Sequence, residues 1–230
     1  MARDVMDLAV VTAAWGTYGR FLPDWAASIA EQTVAPAEVV LVDAGIDDQD
    51  ARDTALVTLE DAGIDHVLVR ANYEGMGAAM NLAVSRCSTE WVIRLDADDT
   101  LLPWAIEDVR DLAADADVVS LGAIRDGRAV LFEKVSAEWI LSGRQGSLAP
   151  SAFRRRFWEQ APFIEANDWI ESAFWVGLAH QGARFVPTTR PGFVYRQWSG
   201  SHSATISPRD KAAARRQHLD LCARWAPHES

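Results

Sequence analysis

The apolar run Trp91-Val92-Ile93-Arg94-Leu95 ends in Asp96-Ala97-Asp98-Asp99, so a segment with the pattern of a buried strand delivers three carboxylates to one place. Carboxylates a few ångström apart in a partly desolvated cleft repel one another unless something positive lies between them. A hard divalent cation meets that need, and an oxygen donor set without Cys or His nearby suits Mn²⁺ or Mg²⁺ rather than zinc. Such ions complete their shell with waters and substrate phosphates, so these residues point to a metal-assisted reaction on a phosphate-bearing substrate. An isolated Asp-x-Asp is more often a solvated turn or a cap, and the surrounding elements decide between the two.

Residues 8–14 form a short apolar run typical of a parallel strand buried on both faces, and residues 21–32 follow with helical spacing through Trp25 and Ile29. A second strand over 38–42 ends at Asp43, and a helix from about 50 to 62 stops at Gly63. A third strand over 66–69 leads to a helix over 77–87, and 91–95 makes the fourth strand. This alternation argues an α/β fold with a mostly parallel sheet flanked by helices, whose ligands bind beyond the carboxyl ends of the strands. Asp43 and the Asp96 cluster both lie at such ends. Past Pro103 the spacing predicts a helix to about 114, strands over 118–121 and 129–132 around an Asp126-Gly127 hairpin turn, and loops over 136–156. A helix from Asn167 through Ala179, strands over 184–186 and 192–196, and a last helix from Ser207 to about Trp225 complete the pattern. With no repeat or low-complexity linker, residues 1–230 read as a single domain, with a nucleotide-binding half to about 103 and an acceptor-facing half from about 104.

Against 22 basic side chains stand 33 acidic ones, and the formal net charge of -11 argues against nucleic acid or an anionic membrane as the main partner. The run Arg154-Arg155-Arg156 is too short to reverse that, though it could serve one phosphate. Cys87 and Cys222 lie in no paired metal spacing, so a reducing, cytoplasmic setting is expected rather than a disulfide framework or zinc site. The opening residues lack the layout of a signal peptide, and no apolar stretch approaches the ~20 residues that span a bilayer, so any membrane contact would be peripheral. Of the ten tryptophans most are expected in packing, a minority as stacking platforms for a sugar or base.

Several segments gain meaning from their order. They are Val10-Val11-Thr12-Ala13-Ala14-Trp15 with Phe21-Leu22, Ser28-Ile29-Ala30-Glu31-Gln32-Thr33, and Glu38-Val39-Val40-Leu41-Val42-Asp43-Ala44-Gly45. Asn72-Tyr73-Glu74-Gly75-Met76-Gly77 with Asn81, Leu95-Asp96-Ala97-Asp98-Asp99 with Leu102-Pro103, and Tyr195-Arg196 before Ser201 and Ser203 complete them. Together they resemble the family 2 glycosyltransferases of the GT-A fold, a Rossmann-like architecture, over most of the chain. The resemblance implies a nucleoside-diphosphate sugar donor and a small-molecule, glycan or carrier-linked acceptor. It places Asp43 on the nucleobase or ribose, and Thr12, Ala14, Asn72, Gly77, Asn81, Asp96, Ala97 and Arg196 along the nucleotide sugar. It also makes Asp98 the direct ligand of Mn²⁺ or Mg²⁺, with Asp96 nearer the ribose or a water of the metal. Asp99 is either a donor-sugar contact or a turn cap.

Inverting displacement at an anomeric carbon also calls for a carboxylate base within reach of the acceptor hydroxyl. Members of the resembled family carry an acidic pair early in the helix that here begins at Asn167. Spacing back from Trp175 and Gly182 selects Glu171, local likeness selects Asp168, and the two lie i, i+3 on one helical face. Asp168 is slightly favoured for its place in the first turn. Three positions depart from the pattern. Met80 replaces a common Arg, Trp198 stands where His is frequent, and His202 lies four residues later as a candidate metal ligand or diphosphate contact. The Gln-x-x-Arg-Trp signature of processive synthases is absent. A nucleotidyltransferase would show a Gly-rich basic loop after the first strand, of which Trp15-Gly16-Thr17-Tyr18-Gly19-Arg20 is a faint version. A nucleotide-sugar binder without turnover is favoured only by the imperfect Asn167-Asp168 motif.

Overall fold

Successive residues of a strand face opposite ways, and here both sets are apolar. In the computed structural model, which describes residues 3–143, 150–165 and 170–224, Leu8, Val10, Val39, Leu41, Trp91 and Ile93 enter one core. Ala9, Val11, Val40, Val42 and Val92 enter a second on the opposite face. That double burial is why the first strands read as continuous apolar runs.

Among the described residues one sheet holds nine strands: β1 (Val5–Gly16), β2 (Ala35–Ile46), β3 (Asp65–Arg70), β4 (Trp91–Arg94), β5 (Thr100–Leu101), β6 (Val118–Arg125), β7 (Arg128–Val130), β8 (Ser151–Arg154) and β9 (Phe185–Val194). The helices are α1 (Leu22–Ala30), α2 (Gln49–Asp61), α3 (Met76–Ser85), α4 (Ala105–Leu112), α5 (Ala137–Leu141), α6 (Arg155–Gln160), α7 (Ile170–His180), α8 (His202–Thr205) and α9 (Pro208–Arg224). Helices α1, α2 and α4 cover the first core, and α3, α5, α6 and α7 the second. Trp25 of α1 and Trp175 of α7 are fully buried anchors of the two layers.

The strand order is β3-β2-β1-β4-β8-β6-β9-β5, with β7 beside β6. Strands β1, β2, β3, β4, β6 and β9 run one way and β5, β7 and β8 oppose them, so the sheet is mostly parallel. Strands β4 and β5 stand four places apart, about 19 Å if the sheet were flat at ~4.8 Å per step. Yet only residues 95–99 join them, through a turn in which the Asp99 N–H donates to the Asp96 carbonyl at 3.1 Å. The sheet therefore curls, bringing β9 and β5 towards the end of β4.

Two expectations change. The weakly patterned 136–156 segment contains β8, which inserts between β4 and β6; four residues are too few to show a period. The strands read over 184–186 and 192–196 are one strand, β9, whose Pro187 and Pro191 sit among register shifts against β6 and looked like breaks. Asp126 and Gly127 have φ of 51° and 71° and turn the β6–β7 hairpin as the sequence predicts. Within the described residues no helix is long and apolar enough to cross a membrane.

Candidate active site

Arg94 shares the parity of Val92, so its side chain enters the face covered by α7. It is 2% exposed, with Nη2 2.6 Å from Asp96 Oδ1 and Nη1 2.6 Å from Glu171 Oε1 in the first turn of α7. Part of the positive charge that the acidic run demands is thus built into the strand. The sequence reading gave Arg94 no role, although one cation inside an apolar strand is itself a signal, since a buried guanidinium requires partners.

Asp98 and Asp99 are tied down from the C-terminal side. Asp98 Oδ2 accepts from Trp198 Nε1 at 2.8 Å, and its carbonyl accepts from Arg196 Nε at 2.8 Å. Asp99 is 2% exposed and its Oδ1 accepts from the Arg196 N–H at 2.9 Å, which fastens the acidic loop to the chain leaving β9. Burial pushes the Asp96 carboxyl up to about 7, with Arg94 opposing and Glu171 and Asp98 adding to the rise. Burial likewise raises Asp98, against the Trp198 hydrogen bond, and raises Asp99 well above the usual carboxylate range with help from Asp96 and Asp98. Of the four carboxylates of Asp96, Asp98, Asp99 and Glu171, two pair with Arg94, while the nearby Arg196 guanidinium pairs with Asp24, so the cluster is short of positive charge. Among the described residues no group of three or more His, Cys, Asp and Glu side chains is arranged to hold a metal by itself. Asp96 and Asp98 nevertheless fit a dication of the Mn²⁺ or Mg²⁺ type, which needs only one or two carboxylates when phosphates complete its shell.

The remaining sequence candidates divide into two groups. Ala14 is the register partner of Asp43, and Asp43 of Arg70, two residues before exposed Asn72, so these residues meet at one end of the sheet. The acidic loop joins them there, because the Leu95 N–H donates to the Val11 carbonyl at 3.0 Å. Asp43 is largely engaged: Oδ1 accepts from the N–H groups of Gly45 (3.1 Å) and Ile46 (2.9 Å), and Oδ2 from Arg52 Nη1 (2.9 Å). Burial would raise this carboxyl, but the Ile46, Arg52 and Gly45 hydrogen bonds outweigh it and hold Asp43 below its usual range.

Thr12, Gly77 and Asn81 form a second group whose side chains or close contacts are committed to the framework. The fully buried Thr12 hydroxyl donates to the Leu95 carbonyl at 2.7 Å and accepts from Trp25 Nε1 at 2.9 Å. A Cβ on Gly77 would lie 2.0 Å from the Ile164 carbonyl oxygen, so glycine is what lets α3 approach that segment. Asn81 holds the same segment, donating to the Phe163 carbonyl at 2.8 Å and accepting from Trp158 Nε1 and the Phe163 N–H, each at 2.9 Å. Arg196, read as a diphosphate contact, also pairs with Asp24 Oδ2 at 2.8 Å, and Ala97 is buried within the loop. Met80 is a core residue of α3. Asp168 and the His202 side chain lie outside the described residues.

A chain of rings rims the site. Trp15 contacts Tyr73 (4.8 Å between centroids) and Tyr18 (4.9 Å), and Trp198 contacts Tyr18 (5.4 Å) and Phe21 (5.3 Å). Arg20 stacks over Phe21 and Trp198 at 4.6 and 4.4 Å, so the turn after β1 holds its arginine on rings rather than in a Gly-rich phosphate loop. In the basic run, Arg154 and Arg156 are engaged by buried Asp117 and Arg155 by Glu159, which accounts for that run structurally.

The curled, mostly parallel sheet flanked by helices, with an acidic loop at its centre, is an α/β architecture of the GT-A type. Residues 10–169, well over half of the chain, match the family model described as glycosyl transferase family 2, and the chain belongs to that family. Among solved structures, the fold is similar to residues 1–349 of S. aureus TarS in complex with UDP-GlcNAc, at 18% identity and a TM-score of 0.74, covering 94% of this chain and 66% of that one. It is also similar to the mannosyltransferase PcManGT from Pyrobaculum calidifontis in complex with GDP-Man and Mn²⁺, at 19% identity and a TM-score of 0.67, covering 97% of this chain and 65% of that one. The chain therefore spans slightly less than two thirds of PcManGT and of residues 1–349 of TarS, and 39% of a longer TarS chain. No curated protein matches by sequence.

Proposed function

We propose that the enzyme is a metal-dependent, inverting transferase that moves a sugar from a nucleoside-diphosphate donor to an acceptor hydroxyl on a small molecule, a glycan or a carrier-linked chain. The observation that carries this reading is the bridge from Asp96 through Arg94 to Glu171, which sets a carboxylate of the second half one guanidinium away from the Asp-x-Asp loop. Ala14, Asp43 and Asn72 form the nucleotide end of the pocket. The UDP-GlcNAc and GDP-Man complexes of similar fold support a donor of that class. Asp98, with Asp96 beside it, would hold Mn²⁺ or Mg²⁺, which as a Lewis acid stabilises charge on the departing diphosphate.

The chain's own residues do the rest. Glu171, or Asp168 three residues earlier in the sequence, accepts the acceptor proton as the new C–O bond forms and the bond from the anomeric carbon to phosphate breaks. Arg94 orients Glu171 through their ion pair. The halves up to about 103 and from about 104 then serve donor and acceptor respectively. The test is thermal stability with UDP-, GDP- and dTDP-sugars, each with and without Mn²⁺. A ligand at ~100 times its dissociation constant stabilises the protein by roughly 2.7 kcal/mol. A Mn²⁺-dependent shift with one nucleotide series is expected, and no shift with any would sink the donor assignment.

A further inference from the structure

Trp198 fills a position from which a histidine could coordinate a metal, but an indole only donates a hydrogen bond. Its ring is held from several sides. Tyr18 meets it edge-on at 5.4 Å, Phe21 lies at 5.3 Å, and the Arg20 guanidinium stacks 4.4 Å from the ring centroid. Gly200 closes the remaining side, where an added Cβ would stand 2.1 Å from Cζ3 of the indole. A ring so packed cannot swing away cheaply, and its Nε1–H is aimed at one oxygen, Asp98 Oδ2, at 2.8 Å. The carboxylate also accepts from the residue's own N–H, and with Oδ2 taken by the indole, Oδ1 is the oxygen better placed for a cation.

We infer that Trp198 is a positioning residue for the metal: its indole N–H fixes the Asp98 carboxylate so that a divalent cation is coordinated through a single oxygen. The inference rests on the reading of Asp98 as the metal ligand. A histidine at 198 would add a ligand to the ion; tryptophan instead orders the ligand already present. Hydrogen-bonding partners of metal ligands commonly carry 10–100-fold of metal affinity, so losing this N–H should cost about that much.

The experiment is Mn²⁺ binding followed by electron paramagnetic resonance, with saturating UDP and in parallel with GDP, on the wild type, Asp98→Asn, Trp198→Phe and Gly200→Ala. Trp198→Phe keeps an aromatic ring between Tyr18, Phe21 and Arg20 but removes the donor, and should weaken Mn²⁺ about 10–100-fold. Gly200→Ala keeps the indole but displaces it, and should weaken Mn²⁺ in the same direction; it decides the matter if Trp198→Phe does not fold. Wild-type Mn²⁺ affinity in the folded Trp198 and Gly200 variants, with loss in Asp98→Asn, overturns the inference and leaves the Asp98 assignment standing. Wild-type affinity in Asp98→Asn overturns that assignment and the inference together.

Discussion

Near the end of β2, Asp43 accepts from two backbone N–H groups and from Arg52, whereas at the end of β4 Asp96 shares the Arg94 guanidinium with Glu171, Asp98 accepts from the Trp198 indole and Asp99 from the Arg196 N–H. Both stretches read alike in sequence, an apolar strand running into Asp. The first carboxylate is supplied with donors and held below its usual range, so it stays ionised without help. The second cluster is raised by burial and mutual repulsion, so its negative charge is incompletely compensated. What separates an acid that needs no cation from one that calls for a cation is therefore the count of donors within reach, and not the strand that delivers the acid.

That contrast can be broken most forcefully at the reaction centre. Glu171→Gln should lower turnover by about 10²–10⁴-fold while sparing Mn²⁺-dependent donor binding, and Asp98→Asn should remove that binding; wild-type turnover in both Glu171→Gln and Asp168→Ala would discard the base assignment. Arg52→Met leaves Asp43 buried and unpaired and should cost about 3–5 kcal/mol in urea unfolding, with no recovery on adding Mn²⁺. Recovery by the metal would mean that the β2 end is also a cation site. Thr12→Val strands the Trp25 N–H and the Leu95 carbonyl and should cost about 1–3 kcal/mol, with donor affinity unchanged by calorimetry.

The mildest test is pH. Asp43 has a folded value below the ordinary 3.8, so its contribution is present above 3.8 and lost as pH falls through the folded value. Asp96 is raised to about 7, so its contribution is present below 3.8 and lost as pH rises through about 7. Metal-free protein should therefore lose stability in urea melts between about pH 4 and 7, and Mn²⁺ should flatten that slope. An identical slope with and without metal would erase the distinction between the two strand ends.

The parallel half of the sheet was legible because strands buried on both faces leave runs such as Val39-Val40-Leu41-Val42, with amphipathic helices between them. Strand β8 was not, because Ser151-Ala152-Phe153-Arg154 takes its meaning from β4 and β6 on either side, and neither is local in sequence. The acidic loop announced itself by charge density. Arg94 did not, since its value depends on Glu171, 77 positions away, reaching the same face of the sheet. Thr12, Gly77 and Asn81, placed along the nucleotide sugar by the family resemblance, are bonded to or packed against other segments of the chain, which no local pattern could show.

The acidic loop has both feet in the sheet, β4 pairing with β8 before it and β5 pairing with β9 after it. Its backbone is ordered when the protein folds, so little chain ordering is left for the arrival of a ligand. The consequence is kinetic. Association at this loop should follow a single fast phase, linear in nucleotide concentration, without the slower isomerisation that a loop free at one end would add.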